Sequence, residues 1–185
     1  ILEASIEQMD LDDEQRREAI RHTLSYIKAI GTEQAQKGLY FYGPFGVGKT
    51  YFLGAIAKEL AERRISSMLI YMPEFVREIK ASLKDDSINE KIEHFKNTDV
   101  LMLDDIGAES MSAWFRDEIL GSILQYRMME RLPVFFTSNY NLEQLEKHLA
   151  STTRGDTEAV KARRIIERIK QVSREVPLFG NNRRV

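Results

Sequence analysis

Apolar positions along the 185 residues alternate between two regimes. Short runs without polar interruption read as strands: Leu39-Tyr40-Phe41-Tyr42, Met68-Leu69-Ile70-Tyr71, Val100-Leu101-Met102-Leu103 and Pro133-Val134-Phe135-Phe136-Thr137. Val176-Pro177-Leu178-Phe179 reads as a short edge strand, where a proline is tolerated. Between the runs, apolar residues recur at helical spacing and predict helices over 12–29, 49–63, 73–83, 88–96, 111–129, 142–149 and 156–170. In the first helix Ala19, Ile20, Leu24 and Ile27 share a face, and Asp10, Asp12 and Asp13 serve its N-terminal end. Gly31 ends it, and a polar stretch runs to Lys37. Strands separated by helices imply βαβ units and a mostly parallel sheet. Continuous apolar strands imply helices on both faces of that sheet.

Composition narrows the class without naming a chemistry. Hydrophobic residues make up 43% of the chain and charged residues 30%, which suits one globular domain with a substantial core. No apolar run approaches the ~18–20 residues of a membrane span, and the first residues lack the pattern of a signal peptide. A start at Ile1 rather than methionine reads as a piece of a longer protein. There is no cysteine, which excludes disulfides and cysteine-ligated zinc within the chain and fits a reducing cytoplasm. Net charge is −2, so bulk charge does not hold the chain to nucleic acid. Residues 154–185 nevertheless carry nine basic and four acidic side chains, whereas residues 1–37 carry eight acidic and five basic ones. That basic tail either faces phosphates or forms a solvated helix face.

The first motif with chemistry is Gly43-Pro44-Phe45-Gly46-Val47-Gly48-Lys49-Thr50, which fits G-x-x-x-x-G-K-[ST] between a strand and a helix. Glycines let successive main-chain N–H groups converge on phosphate oxygens, and the helix adds its positive end. Lys49 reaches β and γ phosphates, the Thr50 hydroxyl ligates Mg²⁺, and Tyr51 extends the nucleotide-contacting segment. A chance match in such a chain is about a one-in-a-hundred event.

Three further signals lie at strand ends or on a helix. Leu101-Met102-Leu103-Asp104-Asp105 ends an apolar strand in two acids, where an open parallel sheet places its ligand crevice. Asp104 is the candidate magnesium-side carboxylate and Asp105 the candidate for orienting water; the alternative is a simple strand cap. Phe135-Phe136-Thr137-Ser138-Asn139 turns polar at its end. Asn139 faces a γ-phosphate if this strand lies between the first and third, or else stabilises the following bend. Arg164 and Arg168 share one helix face, as a charge-stabilising pair or as plain surface residues.

Together GPFGVGKT, LMLDDIG, FFTSN and RIIERI resemble the AAA+ ATPases of the bacterial helicase-loader family over about residues 4–184. The resemblance implies an α/β three-layer P-loop domain with five parallel strands in the order 5-1-4-3-2 and without a full C-terminal helical lid. It implies a linker and helix at 1–37 flanking the nucleotide site, and an ATPase domain at 38–185 with a helical insertion at about 73–98. By motif, Lys49 and Thr50 match Walker A, Asp104 and Asp105 Walker B, and Asn139 sensor 1 with Thr137 as its rival. Arg168 matches a trans-acting arginine finger, Arg164 its neighbour, and Arg183 a sensor-2 arginine. Many AAA+ proteins carry Glu where Asp105 stands, which is one methylene longer.

The implied function is ATP-Mg binding, with hydrolysis to ADP, by a protein that loads a hexameric replicative DNA helicase onto single-stranded DNA. Its implied partners are that helicase, single-stranded DNA and further copies of itself through the ATP site, in the cytoplasm and away from membranes. The insertion carries Arg77, Lys80 and Lys84 as candidate DNA contacts, diluted by Glu74, Glu78, Asp85 and Asp86. The rivals are a transposition-associated ATPase of the same clade, a nucleotide-gated binding module with little hydrolysis, and a small-molecule kinase. The last needs an acceptor pocket and an arginine-bearing lid that the sequence does not display.

Overall fold

The computed structural model describes residues 4–9, 11–30, 32, 37–81, 87–151 and 158–183. Strands β1 (Gly38–Tyr42), β2 (Ser67–Tyr71), β3 (Val100–Asp104), β4 (Val134–Ser138) and β5 (Ser173–Pro177) form one sheet in the order β2-β3-β4-β1-β5. Every pairing is parallel. This is the 5-1-4-3-2 order that the family resemblance implies, read from the other edge.

Helices α1 (Glu14–Ala29), α2 (Lys49–Glu62), α3 (Met72–Ala81), α4 (Ser87–Asn97), α5 (Gly121–Met129), α6 (Leu142–Ala150) and α7 (Ala159–Val172) cover both faces. Successive strand residues point to opposite faces, and the core divides accordingly. Leu39, Phe41, Val100, Met102 and Phe135 join the apolar faces of α1 and α2. Tyr40, Leu101, Leu103, Val134 and Phe136 join residues from α3 to α7. The uninterrupted apolar runs of β1, β3 and β4 are therefore explained by burial on two sides, whereas β2 at the sheet edge leaves Leu69 and Tyr71 exposed. No helix among the described residues is long and apolar enough to cross a membrane.

Two elements differ from the sequence pattern. The predicted helix over 111–129 begins as a π-helical segment, Phe115–Leu120, before α5. Ser112 Oγ accepts the Phe115 N–H at 3.1 Å, and the wide turns carry the Arg116 side chain inward to Leu149 O at 3.0 Å. The last strand spans Ser173–Pro177 rather than 176–179, leaving α7 without a loop. Its Arg174 and Glu175 are exposed, so this edge strand lacks the apolar run that marks the other four.

One buried cation ties the layers together below the sheet. Arg127 on α5 is fully buried. It donates to the carbonyls of Phe95, Lys96, Thr98, Asp99 and Pro133 at 2.7–3.1 Å. These lie at the end of α4 and just before β3 and β4, so a single guanidinium closes the α4–β3 and α5–β4 connections. Burial pushes its pKa down to about 10, which leaves it charged at neutral pH.

Candidate functional site

Parallel strands bring their carboxyl ends to one edge, and there β1, β3 and β4 surround a cavity of about 500 Å³. The loop after β1 forms one wall. Gly46 and Gly48 adopt φ of 79° and 93°, a region that glycine enters without strain. A Cβ at Gly46 would also lie 1.9 Å from Asn182 Oδ1, because the segment after β5 runs against this loop. Gly48 then starts α2, whose first residues are Lys49 and Thr50.

Lys49 is 8% exposed. Its ammonium donates to Gly43 O and Pro44 O, both at 2.7 Å, and to Asn139 Oδ1 at 3.0 Å. Thr50 Oγ1 donates to Asp104 Oδ1 at 2.9 Å. Thr137 Oγ1 also donates to Asp104 Oδ1 and accepts the Asp105 N–H at 2.8 Å. Asp105 holds φ of 61°, a left-handed conformation uncommon outside glycine and often found at functional positions. The β4 hydroxyl of Thr137 thus meets the Asp104 carboxylate and the main chain of Asp105, while the amide of Asn139 meets the lysine. Asn141 caps the following helix, α6, its side chain accepting the Gln144 N–H at 2.8 Å.

Gly46, Gly48, Lys49, Thr50, Tyr51, Asp104, Asp105, Thr137 and Asn139 all line the cavity, as does Phe45, which is 64% exposed at its rim. Gly43 is bonded to Lys49, Pro44 is exposed, and Val47 points into the core below α2. Arg183 also lines the cavity, and its main-chain N–H donates to Gly46 O at 2.7 Å.

The remaining candidates lie elsewhere. Arg168, half-buried on α7, donates to Gly121 O at 3.0 Å, and Arg164 is exposed on the same helix. Arg77 and Lys80 are exposed on α3, bonded to Pro73 O and Ser110 O, while Lys84 lies outside the described residues. Three cavity residues carried no sequence motif: Gln8, Arg16 and Tyr71. Tyr71 ends β2 opposite Asp104, a position that its strand alone could have suggested.

The sheet order, the glycine loop with its lysine, and the threonine–carboxylate pair define a P-loop domain of the AAA+ class. A family model for the bacterial DnaA ATPase domain matches residues 16–155. The replicative helicase loader DnaI of Bacillus subtilis (strain 168) is 49% identical over 184 residues, which is the whole of this chain and 59% of that protein's length. A crystal structure of DnaI superposes with a TM-score of 0.87 at 48% identity, covering 96% of this chain and 92% of that one. The DnaC helicase loader shares the fold at 22% identity, with a TM-score of 0.74 over 95% of this chain and 96% of that one. This chain belongs to the DnaI family of bacterial AAA+ helicase loaders.

Proposed function

We propose that the chain is the nucleotide-driven part of a loader that places a hexameric replicative helicase on single-stranded DNA in the cytoplasm. The observation that carries the nucleotide reading is the convergence of Lys49, the Thr50–Asp104 pair and Asn139 on one cavity. The relationship to DnaI supports the loading role.

ATP is the proposed substrate. Main-chain N–H groups of residues 43–50 cradle its phosphates, and Lys49 exchanges its bonds to Gly43 O and Pro44 O for phosphate oxygens. A hydroxyl beside a carboxylate suits an oxygen-ligated cation, and Thr50 and Asp104 would hold Mg²⁺ there. When bound, Mg²⁺ offsets the negative charge of the β and γ phosphates. Asp105, held by Thr137, orients the water that attacks the γ-phosphorus, and Asn139 fixes that phosphate together with Lys49.

Arg168 is assigned to the site of a neighbouring copy, with Arg164 beside it on α7. In support, it lines no part of its own cavity and is carried on a helix with exposed basic residues. Arg77 and Lys80 are assigned to single-stranded DNA, on the exposed side of a helix whose Phe75 and Ile79 are buried. An Arg168→Ala variant should bind ATP as the unmodified chain does, yet lose about tenfold or more of its assembly-stimulated turnover. Phosphate release measured against protein concentration checks this. Unchanged stimulation would remove Arg168 from the reaction.

A further inference from the structure

The phosphate-loop pattern leaves position 46 open, yet glycine stands there with φ of 79°. In this conformation its carbonyl accepts the main-chain N–H of Arg183 at 2.7 Å. That bond is one of several by which residues 178–183, just after β5, run as a strap along the loop. Leu178 is 2% exposed and donates its N–H to Tyr42 O at 2.7 Å. Its own carbonyl lies so near Gly43 that a Cβ there would stand 1.7 Å from it, so only glycine lets the two main chains approach. Phe179 packs edge-on against Tyr42, with ring centroids 5.8 Å apart, and its N–H donates to Gln15 Oε1 on α1 at 2.9 Å. At the far end, the Asn182 side chain abuts Gly46 and the Arg183 guanidinium pairs with Asp12. The strap is thus fastened both to the glycine loop and to the start of α1.

Holding the Gly46 carbonyl sets the direction of the donor beside it. A trans peptide is planar and carries its N–H antiparallel to its C=O. No described peptide is cis, so the Val47 N–H points away from the strap. Val47 is held on its other side as well. Its side chain is buried among the residues of α1 and α2, and its carbonyl accepts Arg16 Nη1 at 3.0 Å. A glycine on its own lets the preceding and following peptides turn over. The restraint on this one comes from outside the motif.

We infer that residues 178–183 are a positioning element of the nucleotide site, holding the Gly46–Val47 peptide with its N–H turned to the phosphates. This rests on the reading of the cavity as an ATP site. A donor already aimed needs no reordering when the phosphate arrives. With the strap loosened, the peptide can turn over and present a carbonyl to the phosphate, which repels it. Gln15 lines no part of the cavity, yet through Phe179 it steadies the strap and hence the loop.

The test is equilibrium titration of the 185-residue chain with ATP and with inorganic tripolyphosphate, with Lys49→Ala as the control for the site and thermal melting for the fold. Proline has no N–H, so Arg183→Pro deletes the bond to Gly46 O, whereas Arg183→Ala removes the guanidinium and keeps that bond. Arg183→Pro should bind both ligands about three- to tenfold more weakly than Arg183→Ala does. Gln15→Ala should weaken both by about two- to threefold and speed hydrogen exchange at the Arg183 amide. Equal affinities for the two Arg183 variants would overturn the positioning role. A loss for ATP with tripolyphosphate binding unchanged would overturn it too, because the strap would then act on the base or ribose. Faster exchange in Gln15→Ala with both affinities unchanged would leave the strap a structural tie alone. Failure of the unmodified chain to bind ATP would overturn the nucleotide site itself, a different result from normal binding that ignores the proline.

Discussion

Lys49→Ala is expected to weaken ATP binding by about a hundredfold or more. Removing one partner of a desolvated, hydrogen-bonded charge pair costs about 2–5 kcal/mol, and 2.7 kcal/mol is a factor of about a hundred. Few other groups in the cavity can substitute. Lys49 is 8% exposed and its ammonium is already positioned between the loop carbonyls and Asn139, so the chain spends little ordering it on binding. A Lys49→Arg variant should recover only part of the affinity, because a planar fork replaces a compact ammonium in a space set by Gly43, Pro44 and Asn139. Calorimetric titration with ATP, alongside thermal melting to verify folding, separates a lost ligand contact from a lost loop structure. Affinity within about threefold of the unmodified chain would place the phosphates elsewhere.

The second large effect concerns stability. Arg127→Met should destabilise the fold by about 3–5 kcal/mol, since removing a buried charged partner leaves its acceptors without donors. Here the acceptors that lose a donor lie at the end of α4 and just before β3 and β4, and of them Pro133 O keeps the Leu101 N–H. For a domain of this size that corresponds to a fall in Tm of about 10 °C or more. Lysine should rescue little, because its ammonium has three donors and cannot span five acceptors. Differential scanning calorimetry checks both variants. A fall of less than about 3 °C for Arg127→Met would mean that water takes over the carbonyls. Arg127 lies under the strand entries, at the end of the sheet away from the nucleotide cavity, so intrinsic ATP affinity in the still-folded variant should change little.

Much of this architecture was legible in the chain because its strongest signals are local. Strands β1, β3 and β4 are apolar on both sides since both sides are covered, while β2 at the sheet edge leaves Leu69 and Tyr71 exposed; Tyr71, Asp104 and Asn139, at or just past the ends of β2, β3 and β4, line the cavity. The glycine loop is written in consecutive residues. By contrast, Gln8, Arg16 and Tyr71 meet at the cavity from three separate segments, and only the folded chain brings them together. Arg16 belongs to no motif, and its bond to Val47 O joins residues 31 positions apart. Strand β5 was placed three residues late because its pairing with β1 is specified by main-chain hydrogen bonds, while Arg174 and Glu175 face outward. The π-helical turns at Phe115–Leu120 have no compositional mark; they arise where Arg116 is drawn inward to Leu149 O and to the carboxylates of Asp117 and Glu158.

The placement of α7 also shapes how a neighbouring copy would be engaged. Arg116 fastens the start of α7 through Glu158, and Arg168 fastens its later turn through Gly121 O. The helix is thus braced at two points, against the π-helical segment and against the first residue of α5. For Arg168 to reach a second nucleotide, its own bond to Gly121 O must be exchanged for one to phosphate. Assembly and nucleotide binding are coupled by that exchange under the proposed function.

The most direct test of the central claim is phosphate release from ATP by this chain, with and without a replicative helicase and single-stranded DNA, beside Lys49→Ala. The account predicts slow turnover alone, an increase of about tenfold or more with the partners present, and none of it in Lys49→Ala. ATP binding with no turnover under any of these conditions would contradict it, leaving a nucleotide-gated binding protein in place of a loader driven by hydrolysis.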